Sequence, residues 1–190
     1  MEALEFSGRA ELLKRLDAAV ALDEVGRKTR AVQTTLCDLI RAERLALPTA
    51  ACRPAPDGYA RRLVHHSEPL GYSVVLMVWG PGQGTQLHDH DGSWCVEGVI
   101  AGEIEVVQYE AVEQRDDRWH FRPEPAIRAG EGTSGSLIPP FEYHTIANPH
   151  DDRVAMTLHV YSRELRQAHV FEPLGNGWYR RRVRQLGYVH

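Results

Sequence analysis

From residue 60 onward, short apolar segments alternate with turns rich in Gly, Pro and Asp, and this pattern limits the possible folds more than any other feature. The segments with strand character are Ala60–His65, Tyr72–Trp79, Trp94–Ile100, Glu103–Tyr109, Trp119–Arg122, Gly135–Ile138, Val154–Tyr161, Ala168–Phe171 and Trp178–Val183. Short strands at this spacing are typical of an antiparallel sandwich or barrel. We therefore predict a mainly β fold, with its β-barrel in residues 55–185.

The first 50 residues have helical rather than strand periodicity. Two apolar series recur at helical spacing, namely Leu12, Leu13, Leu16, Val20 and then Val32, Leu36, Leu39, Ile40, with Leu45 and Leu47 beyond. We predict two or three helices within residues 7–47, ending before Pro48. Because their apolar faces need a partner surface, these N-terminal helices (residues 1–50) are expected to pack on the β region. Residues 1–190 would then form a single domain.

Composition excludes several classes of function. The 190-residue chain has a formal net charge of -4, and its one arginine-rich run, residues 180–184, is too narrow to bind nucleic acid. No apolar run reaches the roughly 18 residues that a membrane-spanning helix needs. The N-terminus is acidic, unlike a signal peptide. Three widely spaced cysteines without a CxxC pair favour a reducing cytoplasm over a disulfide framework.

Two histidines one residue apart, His88 and His90, follow a turn rich in Gly and Pro at residues 80–84. Side chains two apart on an extended segment point to the same face, so both imidazoles can bind one metal ion. His144 follows a proline pair, whose rigid turn can direct a third imidazole inward. Any one of these histidines alone is more often structural than a ligand. Together they indicate a metal site that leaves about three positions of an octahedral ion open.

The histidines belong to two longer patterns. Residues 82–102 contain Gly-x5-His-x-His-x4-Cys-x6-Gly, and residues 139–148 contain Pro-x4-His-x3-Asn. The first resembles the first cupin motif, with Cys95 in place of a metal-binding Glu. The second resembles the second cupin motif, with Phe141 in place of its usual glycine. The Cys-for-Glu exchange resembles the cysteine dioxygenase family of non-haem iron enzymes, which implies a cupin-type antiparallel β-barrel, or jelly roll.

The resemblance extends beyond the cupin motifs. The segment Tyr59-Ala60-Arg61 resembles the family's Tyr-x-Arg, and residues 157–162 resemble its Ser-x-His-x-Tyr-Ser. By this resemblance Arg61 binds the substrate carboxylate, with Tyr59 beside it. A guanidinium fork suits this role because it can donate to both carboxylate oxygens. Period two along a strand places Arg62 on the opposite face, so a single arginine faces the site.

The resemblance also implies the metal ligands and a covalent crosslink. His88, His90 and His144 would hold iron(II). Cys95 and Tyr161 would form a thioether bond that keeps the phenol hydroxyl beside the iron. Without that crosslink, Cys95 would be simply a buried thiol.

His159 and Thr157 share one face of the strand that carries Tyr161, because they precede it by two and four residues. We interpret His159 as a catalytic residue that hydrogen-bonds the Tyr161 hydroxyl, and Thr157 as the group that fixes the His159 tautomer. Trp79 is interpreted as a packing or surface residue. His169 has no motif context and is assigned to the surface.

The resemblance implies oxidation of L-cysteine by dioxygen to the sulfinic acid. A 3-mercaptopropionate dioxygenase is the nearest alternative, although such enzymes typically carry Gln where Arg61 stands and Gly where Cys95 stands. A non-catalytic, ligand-binding cupin is an alternative of another class, which metal analysis would distinguish. We expect a cytoplasmic monomer whose partners are a small thiol and dioxygen, with no nucleic-acid or membrane partner.

Overall fold

The computed structural model describes residues 4–189. Within that range the chain forms helices α1 (Arg9–Val20) and α2 (Val25–Arg41), a 3-10 helix (Thr49–Cys52) and eleven strands. The strands are β1 (Ala60–His66), β2 (Ser73–Trp79), β3 (Cys95–Ala101), β4 (Glu103–Arg115), β5 (Arg118–Pro123), β6 (Ile127–Gly130), β7 (Ser134–Leu137), β8 (His144–Ala147), β9 (Ala155–Tyr161), β10 (Gln167–Gly175) and β11 (Trp178–Gln185). None of the helices in this range is long and apolar enough to cross a bilayer.

Two strands and the end of the helical region differ from the sequence-based expectation. The four-residue strands β6 and β8 were not predicted. Four residues are too few to show alternation reliably, and of the strands this short only β7 was found. The helical segment ends at Arg41 rather than near residue 47. Leu45 and Leu47 still pack on the helical core, but as part of an extended segment that pairs with residue 7.

The strands form two antiparallel sheets. One has the order β1-β2-β9-β3-β7 and the other β10-β11-β5-β4-β6, with β8 paired to β4. His88 bridges both His144, at the start of β8, and Val170 in β10. This architecture confirms the prediction of a mainly β, antiparallel cupin barrel with a helical N-terminal segment.

The two helices cover the outer face of the five-stranded sheet. Their buried residues (Leu12, Leu16, Val32, Leu36, Leu39 and Ile40 among them) share one core with Val74, Leu76, Val78, Val96, Leu158 and Val160. Because the helices bury one face of the sheet and the barrel interior buries the other, all seven residues of β2 are buried. Gly98 allows this approach, since a Cβ there would lie 3.2 Å from the side chains of Leu36 and Ile40. The predicted packing of the helices on the β region is thus confirmed.

The inner face of the same sheet builds the barrel interior. Alternate residues of β2, β3 and β9 form this second core, which includes Val75, Met77, Trp79, Cys95, Val99 and Tyr161. Titratable and polar side chains lie among these apolar residues, and they form the candidate site.

Candidate metal centre

His88 and His144 lie side by side because their backbones are paired. The His88 amide donates to the His144 carbonyl at 3.1 Å, and the His144 amide donates to the His88 carbonyl at 3.2 Å. His90 joins them: its ring centroid lies 5.4 Å from that of His88 and 5.0 Å from that of His144. One ligand atom from each of the three imidazoles lies within 4.8 Å of the others. The structure thus brings together the histidines of both motifs.

Hydrogen bonds to backbone carbonyls determine the tautomers of His88 and His144. His88 Nδ1 lies 3.0 Å from the Gln86 carbonyl oxygen, and His144 Nδ1 lies 3.0 Å from that of Glu142. Since a carbonyl only accepts, each Nδ1 carries the proton and each Nε2 keeps its lone pair. Burial lowers the pKa of all three histidines, and neighbouring imidazoles lower that of His90 and His144 further. Neutral imidazoles are the form that binds a metal.

His90 leaves a buried nitrogen without a partner. Among the described residues its Nδ1 makes no hydrogen bond, and Glu142 Oε2 lies 3.8 Å away. Glu142 instead accepts from the His90 backbone amide at 3.0 Å, and burial raises the pKa of this carboxyl to about 7. An unsatisfied buried nitrogen is rare unless a metal, ion or water completes it. Together with two free Nε2 lone pairs, it fits a metal site of three neutral imidazoles.

Cys95, Tyr161 and His159 form a second cluster next to these imidazoles. Cys95 on β3 pairs directly with Tyr161 on β9. The Tyr161 hydroxyl lies 3.4 Å from His159 Nδ1, and Cys95 Sγ lies 3.8 Å from the same nitrogen. The Tyr161 ring centroid is 5.5 Å from that of His90. Burial raises the pKa of the Cys95 thiol and of the Tyr161 phenol well above their usual values, so both stay protonated.

Thr157 links this cluster to β2. Its hydroxyl lies 2.7 Å from His159 Nε2 and accepts a hydrogen bond from Trp79 Nε1 at 2.9 Å. The Trp79 ring stacks on Tyr59, with centroids 4.6 Å apart. Trp79 therefore does more than pack, since it connects Tyr59 to Thr157. The interpretation of Trp79 as a packing or surface residue missed this contact, because its bond to Thr157 left no mark in the sequence.

Arg61 is almost fully buried, at 5% exposure. Its guanidinium donates to the Gly187 carbonyl at 3.0 Å and to the Leu165 carbonyl at 3.3 Å, and it lies over the ring of Tyr188. These bonds use two of the five N–H donors of an arginine, so the others can bind an anion. Arg62 pairs with Leu76, a residue of the outer core, and lies on the opposite face of β1.

One small cavity joins the predicted substrate-binding and metal-binding residues. It has a volume of about 30 Å³, and its walls include Tyr59, Arg61, Met77, His88, His90 and Tyr161. A space of this size holds about two water molecules. The chemistry available in it is the binding of a small anionic ligand beside a metal ion.

The sequence profile of the family described as cysteine dioxygenase type I matches residues 52–173. The chain belongs to this family. Cysteine dioxygenase type 1 of Rattus norvegicus is 23% identical over 114 residues, which cover 60% of this chain and 56% of that protein. The values for the Homo sapiens protein are the same. The chain thus spans about half the length of the curated relatives it matches, and the family predicted from Cys95 and the two motifs is confirmed.

Solved structures with related folds include the TT1209 protein of Thermus thermophilus, with a TM-score of 0.46, 22% identity and coverage of 59% of this chain and 90% of that one. The cupin domain of Schizosaccharomyces pombe Cnp3 has a TM-score of 0.45, 11% identity and coverage of 64% and 76% respectively.

The cysteine dioxygenase family is metal-dependent, and the donor set of three imidazoles agrees with this.

The assignment of His169 to the surface was wrong. Its Nδ1 lies 2.9 Å from Asp89 Oδ2, its backbone amide donates to Asp89 Oδ1 at 2.9 Å, and the Asp89 amide donates to the His169 carbonyl at 3.0 Å. Asp89 lies between His88 and His90, so these bonds attach the His88–His90 segment to β10. No sequence signal connects the two residues, because only the fold brings β10 beside this segment.

Proposed function

We propose that this member of the cysteine dioxygenase family oxidises L-cysteine with dioxygen to cysteine sulfinic acid. The observation that supports this most directly is the single cavity shared by Arg61, His88 and His90. This cavity brings an arginine that can bind the carboxylate beside a candidate metal site that can bind the thiol and amine. The names of the rat and human relatives agree with this substrate.

Iron(II), held by His88, His90 and His144, is the metal that this function needs. Three neutral nitrogen ligands suit iron, zinc, copper or nickel, so the donor set alone does not select one. When bound, iron supplies the redox chemistry with dioxygen that no side chain of the site provides.

Arg61 and Tyr59 would fix the substrate at its carboxylate. The guanidinium is held in place by two backbone carbonyls, and the Tyr59 ring is held by its stacking on Trp79. A thiol without a carboxylate leaves Arg61 unpaired in a buried site, at a cost of about 2–5 kcal/mol, or roughly 30- to 5,000-fold in kcat/KM. The small volume of the cavity further favours small thiols.

Tyr161 and His159 would act on the substrate through protons. The Tyr161 hydroxyl stays protonated near neutral pH, since burial raises its pKa, and it can therefore donate a hydrogen bond to a negatively charged group. His159 holds the hydroxyl from one side, and Thr157 holds His159 in turn.

We also propose that Cys95 and Tyr161 form the thioether crosslink. The new C–S bond replaces the thiol S–H and one ring C–H, and dioxygen accepts the two electrons and two protons. The pairing of the two residues across β3 and β9 supports this. A tryptic peptide pair two hydrogens lighter than the sum of its parts is expected in the native protein and is lost in Cys95→Ser. Turnover by native protein without any linked peptide contradicts the crosslink.

The test of the function uses anaerobic, iron(II)-loaded protein mixed with L-cysteine, 3-mercaptopropionate or cysteamine. Oxygen is then admitted, its consumption is followed, and the product is identified by mass. We expect the highest kcat/KM for cysteine, its loss in His88→Ala, and a raised KM in Arg61→Ala. Arg62→Ala is the matched control and should keep wild-type kinetics, because Arg62 lies on the opposite face of β1.

Other outcomes of this experiment assign the chain differently. Preference for 3-mercaptopropionate over cysteine supports the alternative thiol dioxygenase. Tightly held zinc without oxygen consumption supports a non-catalytic cupin. Equal rates for wild type and His88→Ala would refute a dioxygenase at this site. A cytoplasmic location and a monomeric state remain predictions, and light scattering tests the second.

A further inference from the structure

Glu97 is a buried carboxyl that the proposed reaction does not use. It lies on β3 two residues after Cys95, pairs across the sheet with His159, and is 6% exposed. Its Oε2 lies 3.6 Å from His159 Nδ1 and has no hydrogen-bond partner in the part of the chain that the structure describes. A buried carboxyl beside an imidazole, in an otherwise apolar interior, is costly unless the two groups share a proton.

We propose that Glu97 is a positioning residue that sets the tautomer of His159, and thereby decides whether the Tyr161 hydroxyl faces an N–H donor or a lone pair. The tautomer itself is a property of the metal-free protein. Its effect on turnover rests on the proposed dioxygenase function.

The hydrogen bonds around His159 favour one tautomer when Glu97 is ionised. Trp79 Nε1 can only donate, so the Thr157 hydroxyl accepts from it and has its own proton free for His159 Nε2. The imidazole proton then lies on Nδ1, where the Glu97 carboxylate attracts it. A protonated Glu97 reverses this preference: once a small side-chain rotation closes the 3.6 Å gap to hydrogen-bond distance, its O–H donates to Nδ1 and the imidazole proton moves to Nε2.

Both forms of Glu97 exist near neutral pH. Burial raises the pKa of its carboxyl to about 7, while burial lowers the pKa of His159 to about 3, so the imidazole remains neutral. Within residues 4–189, the charged and titratable groups that lie around Glu97 are Cys95 on β3, His159 and Tyr161 on β9, and Arg128 on β6. Arg128 is already paired with Glu103 and Glu105, at 3.4 Å each, so Glu97 receives no direct counter-ion from it.

A separate cavity gives Glu97 a route to exchange its proton. This cavity of about 420 Å³ lies between β3 and β7 on one side and β4 and β6 on the other, and Glu97 forms part of its wall. The residues that line it are different from those of the cavity at Arg61 and the histidines. A proton can therefore reach the Glu97–His159 pair without passing the metal ligands.

The experiment is a titration of metal-free protein labelled with 15N in histidine, followed by long-range NMR from pH 5.5 to 8.5. In wild type we expect the 15N chemical shift of His159 Nδ1 to change around pH 7 from the value of an unprotonated nitrogen to that of an N–H. The shift of Nε2 should change in the opposite direction over the same pH range. In Glu97→Gln we expect them to stay constant. Glu172→Gln removes an exposed carboxylate on β10 that pairs with Arg182, away from the Glu97 cavity, and is expected to titrate like wild type.

A single His159 tautomer throughout the titration of wild type overturns the proposal, whether or not Glu97→Gln folds. A Glu97→Gln titration identical to wild type overturns it as well. In iron-loaded protein, we expect the kcat of wild type to show an inflection near pH 7 and that of Glu97→Gln to show none. An inactive wild type would refute the dioxygenase function. The NMR titration would still decide whether Glu97 sets the tautomer of His159, because it is measured on metal-free protein.

Discussion

Replacing Thr157 by Val removes one hydroxyl and keeps the shape of the side chain. In the structure that hydroxyl accepts from Trp79 Nε1 at 2.9 Å and lies 2.7 Å from His159 Nε2, and all three residues are buried. The substitution therefore leaves two buried polar groups without a partner. It should destabilise the protein, and it should loosen His159 at the same time.

The magnitude follows from these two groups. Each buried polar atom left unsatisfied costs about 1–3 kcal/mol, so the pair costs about 2–6 kcal/mol. The added methyl group returns about 1 kcal/mol of apolar burial. The net loss is then about 1–5 kcal/mol, and its midpoint of about 3 kcal/mol corresponds to a decrease in Tm of about 6–12 °C for a chain of this size.

Thermal unfolding of metal-free protein, followed by circular dichroism, measures this loss. Thr157→Ser is the matched control, because it keeps the hydroxyl and loses only a methyl group, at about 1 kcal/mol. The reasoning is refuted if Thr157→Val unfolds within about 2 °C of wild type, well below the shift expected for two unsatisfied groups. It is equally refuted if Thr157→Ser is the less stable of the two.

Three further changes have defined outcomes. Burial raises the folded-state pKa of Glu97 from 4.5 to about 7. Between these pH values the folded state therefore binds more protons than the unfolded state. As the pH rises through this range, the contribution of Glu97 to the free energy of unfolding falls. Urea unfolding should show Glu97→Gln gaining about 3 kcal/mol relative to wild type between pH 4 and pH 8, and a constant difference would contradict the buried carboxyl. His144→Ala should lower the iron content from near one per chain to below about a tenth by elemental analysis, since one of three ligands is lost; unchanged iron would place the metal elsewhere. Asn148 Nδ2 donates to the carbonyls of Trp79, Gly80 and Arg153. Asn148→Ala should therefore lower the free energy of unfolding in urea by about 2–4 kcal/mol. A loss below about 1 kcal/mol would show that water replaces the amide.

The fold was predictable where periodicity is strong. The eight longer strands, the four-residue β7 and the two apolar helix stripes were found because alternation and helical spacing are local properties of the chain. The strands β6 and β8 were missed because four residues are too few to show a period reliably, and of the three strands this short only β7 was found. All residues of β2 are buried, on both faces of the strand, because α1 and α2 cover the outer face of the sheet. Only the tertiary structure shows this.

The residues of the candidate site that belong to a local sequence motif were predictable. His88 and His90 are two apart in sequence, so their common face follows from strand geometry alone. Trp79, Glu97 and His169 were missed, because the importance of each depends on a partner from another strand. Glu97 lies two residues after Cys95 and therefore on the same face of β3, but its apolar surroundings and the neighbouring imidazole are visible only in the fold.

The sequence by itself determined the family, the antiparallel β architecture and the candidate site residues of the motifs, namely the three histidines, Cys95 and Arg61. These are carried by residue type and local spacing, which need no knowledge of distant contacts. Tertiary structure alone decided that His88 and His144 exchange backbone hydrogen bonds, that Arg61 is held by two carbonyls, and that Glu97 faces His159. Strand register and burial set these contacts, and they also set the pKa values that the proposed chemistry uses.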